Sequence, residues 1–160
     1  MRSVPSLSVA VLMERRKDPN RWERWSFHIA DVVNNEDQQF GVAPRLLRDD
    51  GRAALWMHPG LRVTLFRDEA EGYHLNLISG SPVWFVMWRI DERDSSRAWP
   101  EIVTLSYNEA GRLLDAQERV DNVPLPVEVR YWLQLFTDEH YKPEPKQRRR
   151  PASFVAPDRR

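Results

Sequence analysis

Residues 83 to 90, Val-Trp-Phe-Val-Met-Trp-Arg-Ile, form an almost continuously apolar run in the middle of the chain. A run of this length is short for a helix and is typical of a β-strand that is buried on both faces. Its tryptophans, Trp84 and Trp88, belong to a set of seven in a chain of 160 residues that has no cysteine. Because each tryptophan buries a large apolar area, we predict a small β-rich protein with a thick aromatic core.

The segments before this run alternate between apolar and polar residues, which indicates further strands. Ser6–Glu14 alternates regularly, and the change of parity between Ile29 and Val32 predicts a β-bulge within Trp22–Val33. Asp49-Asp50-Gly51 is a strong hairpin signal. The other predicted strands are Pro44–Arg48, Arg52–Met57, Leu61–Leu65, Tyr73–Ile78 and Glu101–Leu105, with a turn at His58-Pro59-Gly60 and a loop at Asp68–Gly72.

The pattern changes to helical after Leu105. Ser106 and Glu109 have the spacing of a capping box, which predicts a helix that ends at about Glu118. Asp121–Pro126 is predicted to be a linker. The next helix begins near Pro126 and ends near Tyr141, and its apolar face consists of Val129, Trp132, Leu133 and Phe136.

We therefore predict an α+β, mainly β fold: a small antiparallel barrel or sandwich of about seven or eight strands followed by two C-terminal helices. Residues 1–141 would form a single domain, and residues 142–160 a basic, proline-rich, disordered tail. The tail has a net charge of +5. Since the whole chain is neutral, the rest of the chain has a net charge of −5. This asymmetry suits a tail that folds back or reaches an acidic partner.

The sequence contains few arrangements that suit catalysis. The four histidines, His28, His58, His74 and His140, lack the spacing of a metal motif, so we predict no metal site and no cofactor. The chain also has no cysteine, no GxSxG and no glycine-rich phosphate loop. The acids at 68, 69 and 71 are interpreted as solvated loop residues. We predict that the protein is not an enzyme and has no catalytic residues.

No stretch of the chain has the length and apolarity of a membrane span, and the apolar run Leu7–Met13 is too short for a signal peptide. These features, together with the lack of cysteine, favour a cytoplasmic protein that does not contact a membrane. An exposed edge strand could also support a homodimer through strand pairing.

Several short segments resemble one known family. They are Val11–Arg16 followed by Arg21-Trp22 and Trp25, Arg67–Tyr73 with Asn76-Leu77, Pro82–Val86, Val103–Ser106 with Glu109-Ala110, Val123–Pro126 and the final basic cluster. Together these segments resemble the proteobacterial family DUF3305, a domain of unknown function, over residues 6 to 150. The resemblance implies no catalytic residue. It does imply a genomic context beside formate-dehydrogenase-type molybdoenzymes, and therefore an accessory or assembly role.

The leading hypothesis is a non-enzymatic accessory protein that binds a molybdoenzyme or a maturation factor. Tryptophan and arginine are enriched in interface hot spots, so the predicted binding residues are Arg15, Arg16, Arg21, Trp22, Trp25, Tyr73, Arg148, Arg149 and Arg150. Trp22 and Trp25 cannot share one face of a regular strand, so either ring could lie in the core or on the surface. The alternatives are a barrel that binds single-stranded nucleic acid, which the net acidic body disfavours, and a barrel that binds a small molecule.

Overall fold

The computed structural model describes residues 4–18 and 25–143, which form seven strands and three α-helices. In chain order the elements are β1 (Ser6–Lys17), β2 (Trp25–Asn34), β3 (Arg45–Asp49), β4 (Ala53–Thr64), a 3-10 turn (Arg67–Glu69), α1 (Ala70–Ile78), β5 (Val83–Ile90), β6 (Ala98–Thr104), α2 (Tyr107–Asp115), β7 (Arg119–Pro124) and α3 (Val127–His140). None of these helices is both long and apolar enough to cross a membrane.

The strands form two antiparallel sheets. Four strands make the first sheet in the order β2-β1-β4-β3, and three make the second in the order β6-β5-β7. Buried residues of both sheets and of α1 and α3 belong to a single apolar core. Among the described residues no strand pairing joins the two sheets. Of the two predicted alternatives, the barrel is therefore wrong, while the mainly β class with seven antiparallel strands is confirmed.

Strand β5 is the centre of the second sheet, as its apolar sequence predicts. Trp84, Val86 and Trp88 belong to the core shared with the first sheet. Phe85 is also buried, and its ring meets that of Tyr107 in α2 edge-on with centroids 6.4 Å apart. Since successive side chains of a strand point to opposite faces, this strand needs the first sheet on one side and α2 on the other.

Irregularities in the first sheet bend its strands. The bulge predicted in β2 is confirmed. Leu12 pairs with Asp31 and Met13 pairs with Ile29, so that Ala30 is the extra residue in β2. The predicted turn at His58-Pro59-Gly60 is wrong, since β4 continues through these residues. Pro59 has no N–H to donate and Gly60 has a φ of +87°, so the two residues form a bulge inside the strand instead of ending it.

The segment from Asp68 to Ile78 is helical, and the predicted loop and strand there are wrong. Tyr73 and Asn76 are buried on one side of α1 with Ala70. The side-chain amide of Asn76 donates to the carbonyls of Val83 (2.8 Å) and Leu105 (3.0 Å) and accepts from the N–H of Val83 (3.0 Å). Residues three apart share a face only in a helix, so these contacts require the helical conformation.

Most of the predicted linker Asp121–Pro126 belongs to strand β7, which pairs with β5. Asp121 also accepts a hydrogen bond from the N–H of Ile29 at 3.0 Å and so connects the two sheets. The predicted order, with all strands before two C-terminal helices, is therefore wrong. The predicted order lacks α1 and β7. Strand β7 was not predicted because Asp121 and Asn122 are polar, and pairing with the edge of β5 is what stabilises a strand there.

Both predicted helix starts are confirmed. Ser106 caps α2 by accepting the N–H of Glu109 at 3.1 Å, although the Glu109 carboxylate binds the hydroxyl of Thr104 and not the N–H of Ser106. Helix α2 ends at Asp115, before Gln117, whose φ is +65°. Pro126 is the N-cap of α3, and Tyr141 is its C-cap.

Candidate binding pocket and surface stripe

A pocket of about 300 Å³ opens between the first sheet and the beginning of β6. It draws on both sheets and on the loop that joins β5 to β6. The lining residues are Met13, Arg15, Phe27, Pro44, Trp56, His58, Ser96, Arg97, Ala98 and Trp99. We call it the aromatic pocket because three of these side chains are aromatic rings, those of Phe27, Trp56 and Trp99.

The first sheet supplies the floor of the aromatic pocket through strand register. Met13 in β1 pairs with Trp56 in β4, and Arg15 pairs with Phe27 in β2. Directly paired residues have their side chains on the same face, so this face begins in the apolar core at Met13 and continues outward to Arg15. The pocket is therefore the outer end of the space between the two sheets.

The second sheet supplies the opposite wall. Ser96 and Arg97 belong to the loop after β5, and Trp99 belongs to β6. The indole N–H of Trp99 donates to the carboxylate of Glu101 at 2.7 Å, while 36 % of this residue is exposed. This hydrogen bond holds a partly exposed apolar ring in place at the mouth of the pocket.

Arg15 connects the two walls. Its guanidinium carbon lies 4.2 Å from the ring centroid of Trp25, a cation–π contact, and its Nη1 donates to the carbonyl of Ser96 at 2.9 Å. Its Nε is buried and has no hydrogen-bond partner among the described residues. Within the same part of the chain, no carboxylate lies within 4.0 Å of its nitrogens. The cation is thus held in place, and its Nε–H is an unpaired donor that is closed to solvent.

His58 contributes a neutral imidazole to the pocket. Burial lowers its pKa from 6.5 to about 4, since removing a group from water disfavours its charged form. At neutral pH the ring therefore carries no charge and can donate one hydrogen bond and accept one. The arginines at 15 and 97 are the only charged groups among the residues that line the pocket.

We expect His58 to make the stability of the protein depend on pH. Because the folded-state pKa is lowered, the unfolded chain binds more protons between about pH 4 and pH 6.5. The contribution of the neutral His58 ring to the free energy of unfolding is complete above pH 6.5 and is lost as the pH falls towards 4. Solvent screening of this partly exposed group limits the loss to about 1–2 kcal/mol.

Urea unfolding between pH 4 and pH 7 measures this effect. The variant His58→Gln should flatten the profile in that range, whereas His28→Gln, at an exposed histidine, should leave it unchanged. An imidazole NMR titration of His58 with a midpoint near pH 6.5 would contradict the assignment.

Helix α3 carries a second feature, an apolar stripe that faces solvent. Val127, Tyr131 and Leu135 are four residues apart and are 76 %, 65 % and 53 % exposed. The opposite side of the helix, with Val129, Leu133 and Phe136, is buried. A surface helix normally places polar residues opposite its buried face, so this exposed stripe, which we call the α3 stripe, is a candidate interaction surface.

The structure separates the binding residues predicted from sequence. Arg15 and Trp25 come together at the pocket, but Arg16 pairs with Glu14, a residue that belongs to the opposite face of the first sheet. Tyr73 is 1 % exposed, and its hydroxyl accepts the N–H of Phe66 at 2.9 Å. Its ring is therefore part of the core and not of a binding surface. Burial also raises the pKa of Tyr73 to about 12.

The other predicted binding residues, Arg21, Trp22, Arg148, Arg149 and Arg150, lie outside the described residues. No local pattern predicted the pocket residues Phe27, Trp56, His58 and Trp99. Their signal was weak because each looks like an ordinary core position of its own strand. Among the described residues, no three histidine or acidic side chains lie close enough together to hold a metal ion.

The fold and the pocket define a small, mainly β protein with two antiparallel sheets and an aromatic pocket that contains arginine. The chain belongs to the DUF3305 family, described as a protein of unknown function, whose family model matches residues 8–150. This match confirms the resemblance predicted from sequence. No curated protein and no solved structure matches the chain.

Proposed function

We propose that this protein is a non-enzymatic accessory factor that aids the assembly or maturation of a formate-dehydrogenase-type molybdoenzyme through protein–protein contacts. The α3 stripe is the observation that carries this proposal. Membership of the family supports the accessory role, because the resemblance implies a genomic context beside such enzymes.

The α3 stripe suits a helix-in-groove or flat protein interface. Its residues follow the spacing of anchors on one helix face, and Tyr131 at its centre is of a type enriched in interface hot spots. Arg130 and Gln134 are exposed polar neighbours on the same helix, as expected for the polar rim around an apolar interface core. A partner would cover side chains that otherwise remain in water.

A pull-down from the native bacterium tests the proposal. The tagged full chain is compared with Tyr131→Asp and with the control Leu114→Asp, which changes an apolar residue of α2 that is 55 % exposed. We expect the full chain and the control to recover a molybdoenzyme or its maturation factors, and Tyr131→Asp to recover at least about tenfold less. Circular dichroism checks that both variants are folded.

A chain that ends at Tyr141 separates the contribution of the basic tail from that of the stripe. Recovery of nucleic acid alone, or equal recovery by Tyr131→Asp and Leu114→Asp, would contradict the proposal. Self-association that is lost only in Tyr131→Asp would instead identify a second copy of this chain as the partner.

A further inference from the structure

We propose that the aromatic pocket is a binding site for a small aromatic carboxylate, a ligand with one flat ring and one negative charge. This inference is independent of the α3 stripe, because no residue of α3 lines the pocket. It rests on the size of the pocket, on the chemistry of its walls and on the hydrogen bonds that Arg15 makes and leaves unmade.

The size and the walls of the aromatic pocket favour a ligand with a compact, flat, apolar ring. The volume of about 300 Å³ lies at the lower end of ligand pockets and equals the liquid volume of about ten water molecules. The rings of Phe27, Trp56 and Trp99 come from three different strands. Aromatic walls favour an aromatic ligand through stacked and edge-on contacts.

The charge of the ligand is selected by Arg15. The stack on Trp25 and the bond to Ser96 hold the guanidinium in one orientation, and the buried Nε has no partner among the described residues. A buried donor without an acceptor is costly. Arginine forms its strongest hydrogen bonds to carboxylates, often with two parallel N–H groups. A carboxylate that pairs with this guanidinium would therefore compensate its charge, and it would reach the Nε only if the side chain turns, because that atom is closed to solvent.

The acids near this region are already engaged. Hydrogen bonds from the hydroxyl and the N–H of Ser96, at 2.6 and 3.0 Å, both end on Oδ1 of Asp94, and together with the charges of Arg97 and Arg15 they lower the pKa of this carboxyl. Glu101 accepts the indole N–H of Trp99. Arg97 adds a second positive charge to the lining. The charged residues that line the pocket are both arginines, so the lining favours an anion over a neutral or cationic ligand, in competition with Asp94 for the same charges.

Benzoate and benzamide are suitable probes because they have nearly the same shape and differ in charge. The full chain is labelled with 15N at its tryptophan indoles and titrated with each probe. We expect benzoate to shift the indole signals of Trp56 and Trp99 saturably, with a dissociation constant of about 0.1–10 mM. Benzamide should bind at least about tenfold more weakly, because its neutral carbonyl oxygen accepts a weaker hydrogen bond from the guanidinium than a carboxylate does.

Two variants test the role of Arg15. Arg15→Gln should reduce benzoate binding at least about tenfold and remove the preference over benzamide. The control Arg130→Gln, at an exposed arginine of α3, should keep both. If Arg15→Gln fails to fold, the comparison of benzoate with benzamide on the unchanged protein still tests whether the pocket prefers a carboxylate.

Three results would overturn the inference. They are equal affinity for the two probes, benzoate shifts confined to tryptophans outside the pocket, and no shift up to about 100 mM, tenfold above the weakest dissociation constant expected. If benzoate fails to bind while Arg15→Gln abolishes the capture of a protein partner, the pocket receives a side chain of that partner and the small-ligand site is wrong.

Discussion

Replacing Asn76 by leucine is expected to lower the free energy of unfolding by about 4 kcal/mol. Asn76 is 2 % exposed, and its side-chain amide makes three hydrogen bonds to the backbone of Val83 and Leu105. Leucine has a similar size but leaves these buried backbone groups without the side-chain partner. Each such group costs about 1–3 kcal/mol, so the junction of α1, β5 and the end of β6 should loosen.

Urea unfolding followed by tryptophan fluorescence measures this loss. Asn108→Leu is the matched control, because the amide of Asn108 donates to the carboxylate of Glu71 at 3.0 Å in an exposed position. That variant should change stability by less than about 0.5 kcal/mol. Equal effects of the two substitutions would show that the Asn76 amide does not hold the junction.

Gly72→Ala is expected to destabilise the protein by about 3 kcal/mol. A Cβ added at Gly72 would lie 2.0 Å from the Oγ of Ser106 and 3.1 Å from the backbone N of Asn108. Ser106 cannot move freely, because its hydroxyl caps α2 and donates to Glu69 at 2.6 Å. The added methyl group must therefore separate α1 from α2 or break the cap, which alone is worth about 1 kcal/mol.

Gly111→Ala in α2 is expected to have the opposite effect on the stability of the protein. A Cβ at Gly111 meets no atom within 4 Å, and alanine is a better helix former than glycine. The substitution should stabilise the protein by about 0.5–1 kcal/mol. Thermal unfolding of both variants is the measurement. If both variants were destabilised, the close approach of α1 and α2 would not be the cause of the effect of Gly72→Ala.

The pocket depends on the packing of the two sheets against each other. Arg15 binds Ser96 across the opening between the sheets, and Asp121 binds Ile29 deeper inside. The aromatic walls remain at their separation only while these contacts hold the sheets together. Ligand and partner measurements therefore need variants whose folding has been checked.

The candidate site was predicted only in part. Arg15 and Trp25 were chosen from their residue types, and they do come together in space. Tyr73 was chosen in the same way and is buried. The pocket combines residues from Met13 to Trp99, and no local pattern indicates which strands will lie opposite each other. The α3 stripe was not predicted either, because only the apolar face with Val129 and Leu133 was assigned from the sequence.

Local patterns in the chain predict several elements correctly: the strands β1 and β2, the hairpin at Asp50, the buried strand β5, the cap of α2 and the extent of α3. Period and turn chemistry act within a few residues, so these elements follow from neighbours along the chain. Helix α1, the continuous strand β4, strand β7 and the pocket depend instead on contacts between distant parts of the chain. Six residues such as Tyr73–Ile78 fit a strand or a helix equally, and the hydrogen bonds of Asn76 to distant strands select the helix.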